Sequence, residues 1–316
     1  MKIFFIVNGG RKPVQMSLLE EFRGLLRGDS ALHRMEVSLS LEHAHELVEQ
    51  AAAGDFDTLW VGGGDGTIHV LLNQALGRGM TFGVVPMGTV NALARSLGIP
   101  LNPIAAVKYL LQATPQPMDV GLVNGTQRFL CFASIGFDAA VVHDVSGAFK
   151  RRCGRFAYFL AGVRAVFSMN RVVPFQVVFG EGATPAVVDS ECRLEPVPVS
   201  PQEGFSLMLS NVSNYAGFCL FHDVRPCSGT MEFWLFRKRR LDSMLGWAAA
   251  TGIRSRGLQR RFGRTVGHYV LGGFTVTSKQ PMYLQLDGEA VLLGNNCEYR
   301  FECLPGAAQV LIMQKQ

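Results

Sequence analysis

The sequence predicts an α/β domain followed by a β-sandwich-like domain, and three observations carry that reading. The first hundred or so residues alternate short apolar runs with stretches of helical spacing. Glycine clusters close several of those runs. From about Met118 the texture changes to short strand-like runs separated by Gly, Asn and Pro.

Residues 3–7 are an apolar run that stops at Asn8-Gly9-Gly10, which predicts a first strand and not a signal peptide. Residues 16–26 carry apolar side chains at helical spacing, 36–39 read as a short strand and 44–53 again as a helix. A strand over 58–61 leads into Gly62-Gly63-Gly64-Asp65-Gly66-Thr67, a helix over 68–76 follows, and 81–85 form the next strand. Such alternation implies a parallel sheet with helices on both faces, whose ligands bind at the carboxyl ends of the strands. Three glycine-bearing turns lie there: Asn8-Gly9-Gly10, Gly62 to Thr67, and Pro86-Met87-Gly88-Thr89.

In the second half, strands are expected over 120–123, 129–134, 175–179, 205–211, 231–236, 273–277 and 282–286, a sandwich pattern. Two basic, helical inserts interrupt it. One spans 149–167 with Lys150, Arg151, Arg152, Arg155 and Arg164; the other spans 237–264 and sets Arg and Lys around Met244-Leu245-Gly246-Trp247.

A chain of 316 residues with 48% apolar content can bury a sizeable core, and its net charge of +5 does not by itself select nucleic acid over an anionic surface or substrate. The 7 cysteines include no CxxC pair and fit reduced, cytosolic thiols. No run approaches the roughly 18 apolar residues of a membrane-spanning helix. The histidines, His69 after the glycine loop included, lack zinc-ligand spacing.

Strand, glycine turn, helix is a way to hold phosphate: glycines are expected to turn at positive φ and bring N–H groups to an anion, and the helix aims its positive dipole end at the same point. The acid in that cradle, Asp65, is repulsive to phosphate unless a divalent metal bridges the two or the carboxylate takes a proton from an attacking hydroxyl. The competing reading is a plain structural turn. In the second turn Thr89 and Asn91 can reach phosphate oxygens or cap the helix they precede. Three such turns on neighbouring strands favour a nucleotide site over capping.

The ordered motifs Gly63-Gly64-Asp65-Gly66-Thr67, Pro86-Met87-Gly88-Thr89-Val90-Asn91-Ala92-Leu93-Ala94-Arg95 and Leu286-Asp287-Gly288-Glu289 resemble the diacylglycerol kinase catalytic-domain family of bacterial soluble lipid kinases, YegS-like enzymes and sphingosine kinases. Asp119-Val120-Gly121, Ala133-Ser134-Ile135-Gly136-Phe137-Asp138 and Leu304-Pro305-Gly306-Ala307 extend the likeness over nearly the whole chain. The resemblance implies a nucleotide-binding α/β domain over 1–118 to which 307–316 return, a β-rich lipid domain over 119–306, and an active site in the cleft between them. It implies ATP and Mg²⁺ as cofactors and a membrane lipid as acceptor, diacylglycerol foremost, with sphingosine, ceramide and phosphatidylglycerol open.

Carried onto this sequence, the resemblance gives Asn8, Gly9, Gly10, Ser40, Gly62, Gly63, Gly64, Gly66, Thr67, Gly88, Thr89, Asn91 and Asp287 to the nucleotide. It makes Glu289 the general base and Asp65 the residue that organises Mg²⁺ or the acceptor hydroxyl, the reverse assignment of the base being the alternative. The reading of Asp287-Gly288-Glu289 without the family is an ordinary hairpin turn.

Three departures stand out. The first loop reads Asn8-Gly9-Gly10-Arg11-Lys12-Pro13 where the family has Asn-Pro-x-Ser/Ala-Gly, and Tyr215-Ala216-Gly217-Phe218 replaces Tyr-Gly-Gly-Gly. Pro226-Cys227-Ser228-Gly229-Thr230 stands where bacterial relatives carry an Asp-Asp-Gly stretch of a structural Mg²⁺ site. A hard cation needs oxygen donors, so that metal is expected to be lost or weak.

The basic inserts are expected to lie in the headgroups of an anionic bilayer, placing the protein in the cytoplasm, peripherally on the inner face of the membrane; the competing reading is solvated helix faces over core residues. No nucleic-acid partner is expected, and a homodimer is left open. The rival readings are an NAD kinase, which shares Gly-Gly-Asp-Gly-Thr but not the Pro86 to Asn91 turn, and a nucleotide- or lipid-binding regulator without catalysis.

Overall fold

The computed structural model describes residues 1–10, 14–27, 33–144, 172–180, 198, 200–215, 218–219, 221, 224, 227–240, 242, 244, 246–247, 249, 265–291 and 295–313. The chain forms two compact units, Met1–Met118 with Gly306–Gln316, and Asp119–Pro305.

The first unit runs β1 (Ile3–Asn8), α1 (Met16–Arg27), β2 (His33–Ser38), α2 (Leu41–Ala53), β3 (Thr58–Gly63), α3 (Asp65–Ala75), β4 (Thr81–Pro86), α4 (Ala92–Ser96) and α5 (Pro103–Leu110), and β5 (Thr114–Val123) leads out of it. Its strands lie in the order β2-β1-β3-β4, all parallel. β1 and β3 are buried along nearly their whole length, which is why they read as continuous apolar runs and not as alternation. α1 buries Leu19, Phe22 and Leu26, and Phe22 meets Phe5 with ring centroids 5.3 Å apart. α2 buries Ala44, Leu47, Val48 and Ala51, and its start is fixed by Ser40, whose Oγ accepts the His43 N–H at 3.1 Å. In this strand order the direction of winding reverses between β1 and β3, the position where α/β sheets open a crevice beyond their strand ends.

The second unit adds β6 (Gln127–Phe129), β7 (Phe132–Gly136), α6 (Phe137–Asp144), β8 (Phe175–Val178), β9 (Gln202–Gly204), β10 (Ser206–Ser210), β11 (Asn214–Tyr215), β12 (Phe218–Cys219), β13 (Met231–Phe236), β14 (Val266–Leu271), β15 (Gly273–Ser278), β16 (Leu284–Leu286), β17 (Glu289–Val291) and β18 (Glu298–Ile312). One sheet runs β14-β13-β10-β7-β16-β17, every pair antiparallel. The other holds β9-β8-β15, the leading half of β18, and β5 with β6. Ile135, Leu207, Leu209, Phe233 and Leu235 of the first sheet share a core with Val177, Phe274, Val276 and Phe301 of the second, so the two are a sandwich. The last residues of β18 belong to the first unit, where Gln309 and Val310 pair in parallel with Thr81 and Phe82 of β4.

β7 ends at Gly136 with φ +83°, and a Cβ there would stand 2.1 Å from the Phe205 carbonyl oxygen, which accepts the Phe137 N–H at 3.1 Å. Both the backbone conformation and the contact exclude a side chain. Gly136→Ala is expected to destabilise the protein by about 3–4 kcal/mol, read as a lower denaturation midpoint; an unchanged midpoint would refute the account.

The outer face of the β14-to-β17 sheet is covered by a second apolar cluster that includes Phe137, Val141, Phe205, Met208, Trp234, Phe236 and Trp247. Trp247, within the insert expected to lie in the headgroups, is 4% exposed and packs edge-on against Phe236 at 5.0 Å and against Trp234 at 5.3 Å. The neighbouring cations are also used within the fold: Arg237 donates to Tyr269 Oη at 2.6 Å, Arg239 to the Val172 carbonyl, and Arg240 pairs with Asp242. In the described part of this insert Trp247 is thus a core residue, and Lys238, Arg239 and Arg240 are exposed. The insert over 149–167 and residues 250–264 lie outside the described residues. Among the described residues no helix is long and apolar enough to cross a membrane.

Candidate phosphate site and hairpin carboxylates

The glycine run after β3 is shared out differently from the spacing-based expectation. Gly62 and Gly63 belong to β3, Asp65, Gly66 and Thr67 to the first turn of α3, and Gly64 alone is the junction, with φ −88° and ψ 172°. Gly62, Gly63 and Gly64 do not adopt positive φ, so the expected left-handed turn is not the reason for them. Close approach is. A Cβ on Gly62 would lie 3.0 Å from Met87 Sδ, on Gly63 2.9 Å from Thr67 Cβ, and on Gly64 3.3 Å from Gly88 Cα. Helix geometry leaves the leading N–H groups of α3 without acceptors inside the helix, and the dipole adds positive potential there. Asp65 stands in that first turn, half-buried.

The other two loops are tied to this one. Asn8 Nδ2 donates to Thr67 Oγ1 at 2.6 Å, across the reversal between β1 and β3, and Asn8 Oδ1 accepts the Gly10 N–H at 3.0 Å. Gly9 donates to the Ser38 carbonyl at 2.9 Å, and a Cβ on it would meet Val37 at 2.7 Å. After β4, Gly88 lies against Gly64 so closely that a Cβ would be 2.6 Å from the Gly64 Cα. Asn91, left-handed at φ 52°, accepts the Gly88 N–H at 2.9 Å and donates to the Gly88 carbonyl at 3.0 Å. Asn91 sits at the start of α4 yet makes no side-chain cap bond, so simple capping fails for it. Gly88 and Thr89 are exposed. The structure thus brings Asn8, Gly10, Gly64, Thr67, Gly88 and Asn91 into one bonded set of three loops; Arg11, Lys12 and Pro13 lie outside the described residues. Ser40 is occupied as the cap of α2.

The Asp287-Gly288-Glu289 motif is a hairpin between β16 and β17, in which Leu286 pairs with Glu289. Glu289 is exposed, whereas Asp287 is turned inward: its carboxylate accepts the N–H groups of Leu130, Cys131 and Phe132 at 2.8, 2.8 and 2.9 Å. Asp287, which the resemblance gives to the nucleotide, is thus engaged within its own unit. Gln285, which no motif singled out, accepts the Gly288 N–H at 2.8 Å; its sequence signal was its place three residues before a glycine that needs positive φ.

The loop that lacks the acidic stretch is built on Asp119, which is fully buried and whose Oδ2 accepts the Ser228 and Gly229 N–H groups at 2.9 and 2.7 Å. Burial, the adjacent Asp119 charge and the thiol's hydrogen bond to that carboxylate push the Cys303 thiol up to about 12. Glu232, the next acid, bonds His268 Nε2 at 2.9 Å. One carboxylate saturated by N–H and S–H donors does not suit a hard cation. Crystals grown in Mg²⁺ are expected to show no metal at 226–230; ordered Mg²⁺ there would contradict this.

Residues 2–123 match the model of the diacylglycerol kinase catalytic domain. The chain is 43% identical over 123 residues to a Pseudomonas aeruginosa (strain UCBPP-PA14) protein named probable lipid kinase YegS-like, covering 38% of this chain and 40% of that one. It is 36% identical over 130 residues to the diacylglycerol kinase of Bacillus subtilis (strain 168), covering 40% and 43%. The matched stretch is thus under half the length of either relative. In fold, the chain resembles a solved diacylglycerol kinase structure from Bacillus anthracis str. Sterne with TM-score 0.68 at 18% identity, over 98% of this chain and 96% of that one. A second structure from that organism gives 0.72 at 20% identity with the same coverage. Residues 2–123 are thus the part of the chain that is similar to the diacylglycerol kinase catalytic domain.

Proposed function

We propose that this chain is a lipid kinase that transfers the γ-phosphoryl group of ATP to a hydroxyl of a membrane lipid, diacylglycerol first among acceptors. The observation that carries the reading is the locked set of three loops at the ends of β1, β3 and β4, which gathers backbone N–H groups and one carboxylate within a domain of this family. The leading N–H groups of α3 and the backbone at Gly64 and Gly88 take phosphate oxygens, and Asn8 and Thr67 hold the first two loops in register. A single carboxylate with phosphate oxygens and water is a usual Mg²⁺ environment, and Asp65 fits it; the ion would neutralise charge on the transferred group.

Glu289, exposed on its hairpin, takes the proton of the acceptor hydroxyl. The hydroxyl oxygen bonds to the γ-phosphorus, the bridging P–O bond to the β-phosphate breaks, and ADP leaves with that oxygen. The test is labelled ATP with Mg²⁺, a panel of lipids bearing free hydroxyls, and NAD in parallel. Label is expected in diacylglycerol. Label in NAD and in no lipid would reject the reading, and nucleotide binding without transfer to any acceptor would favour a regulator.

A further inference from the structure

Asp287 and Gly288 have φ of +49° and +85°, the backbone of a two-residue hairpin turn. Asn or Gly serves such a turn as well as Asp, so the turn alone does not explain a carboxylate. Its second oxygen does. Oδ2 accepts the Leu130 N–H, and Oδ1 accepts those of Cys131 and Phe132, with the residue 6% exposed. Three successive N–H groups converging on one point form an anion-binding nest, here filled by a side chain of the same unit. The Asp287 N–H returns a bond to the Phe132 carbonyl at 2.8 Å.

The nest is itself anchored, since Ser210 Oγ and the Asn211 N–H both donate to the Cys131 carbonyl, at 2.9 and 2.8 Å. On the other side of the turn, Gln285 is fully buried and holds Gly288. The two residues preceding Glu289 are thus both fixed to the β-unit.

We propose that Asp287 is a positioning residue: it holds the hairpin so that Glu289 stands at one place, and Gln285 assists it. This rests on the reading of Glu289 as the base. Displacing a base by about 1 Å costs on the order of 100-fold in rate.

The experiment is a double-mutant cycle of Asp287→Asn and Glu289→Gln, with kcat, KM for ATP, nucleotide affinity by titration, and amide exchange at 130–132. Asn keeps the shape but turns an NH₂ toward an N–H donor. Asp287→Asn is expected to lower kcat about 30–100-fold, leave KM for ATP and nucleotide affinity within about two-fold, and speed exchange at 130–132. In the Glu289→Gln background it should have no further effect, because residues that act through one another are not additive. A tenfold loss of nucleotide affinity with kcat kept would make Asp287 a nucleotide ligand and overturn the proposal, as would multiplicative losses in the double variant. A fully active Glu289→Gln would instead remove the base reading on which the proposal stands, a distinct result. If Asp287→Asn does not fold, Gln285→Leu carries the same test, with a loss in kcat of about five- to tenfold at unchanged KM.

Discussion

Glu289→Gln is expected to slow phosphoryl transfer by about 10²–10⁴-fold, the usual contribution of a positioned acid or base, with nucleotide affinity unchanged. Gln keeps the size of the side chain and can still accept a hydrogen bond, but it cannot take the hydroxyl proton. Because Glu289 is exposed on a two-residue hairpin, the substitution removes no packing, and a melting temperature within a degree or two of the parent protein is expected beside the lost rate. Asp65→Asn is the companion. With Asp65 as the Mg²⁺ residue, it should raise the Mg²⁺ concentration needed for half-maximal rate. If Asp65→Asn abolishes transfer at every Mg²⁺ concentration while Glu289→Gln keeps the full rate, the roles are reversed.

Gly88→Ala is expected to weaken nucleotide binding about 100-fold, roughly 3 kcal/mol. Its Cβ would meet the Gly64 Cα at 2.6 Å and Asn91 Oδ1 at 2.8 Å. One of these is backbone and the other is the clamp that fixes the loop, so neither can rotate away as a free side chain would. The loops must part, and the N–H groups that would face one phosphate chain diverge. The backbone of Gly88 itself is not left-handed, so the effect comes from contact and not from strain. Parting the Gly64 contact and the Asn91 clamp should also lower the melting temperature by a few degrees. Gly64→Ala, where the contact is 3.3 Å, should be milder, about tenfold. Nucleotide titration of both variants checks the order, and equal, near-parent affinities would disprove the packed-loop account.

The parallel strands were legible because β1 and β3 are buried on both faces, and a short apolar run closed by glycine has few other readings. The loops were legible as a group for the same reason: each follows a strand. Less legible was what each polar or small residue does there. Sequence spacing predicts periodicity, but the contact of Gly64 with Gly88 joins positions far apart in the chain, and the glycines were accordingly credited with conformational freedom when their service is lack of volume. The bonds of Asp287 within its own unit are hidden in the sequence in the same way. Its partners at 130–132 are more than 150 residues away, and a motif says nothing of which member faces inward. The burial of Trp247 is equally hidden, because a linear string that sets it among cations does not show Trp234 and Phe236 packed against it.

The long strand β18 has a consequence for how the molecule is made. The family match ends at residue 123, yet the sheet of the first unit has its β4 edge closed by Gln309 and Val310, which are synthesised only after Asp119–Pro305. Until then β4 offers an open strand edge, a template for pairing with another chain. The first unit therefore waits for the whole β-unit to be synthesised before it can complete its own sheet. A fragment ending at residue 118, although it holds all three loops, is expected to aggregate unless residues 306–313 are supplied with it.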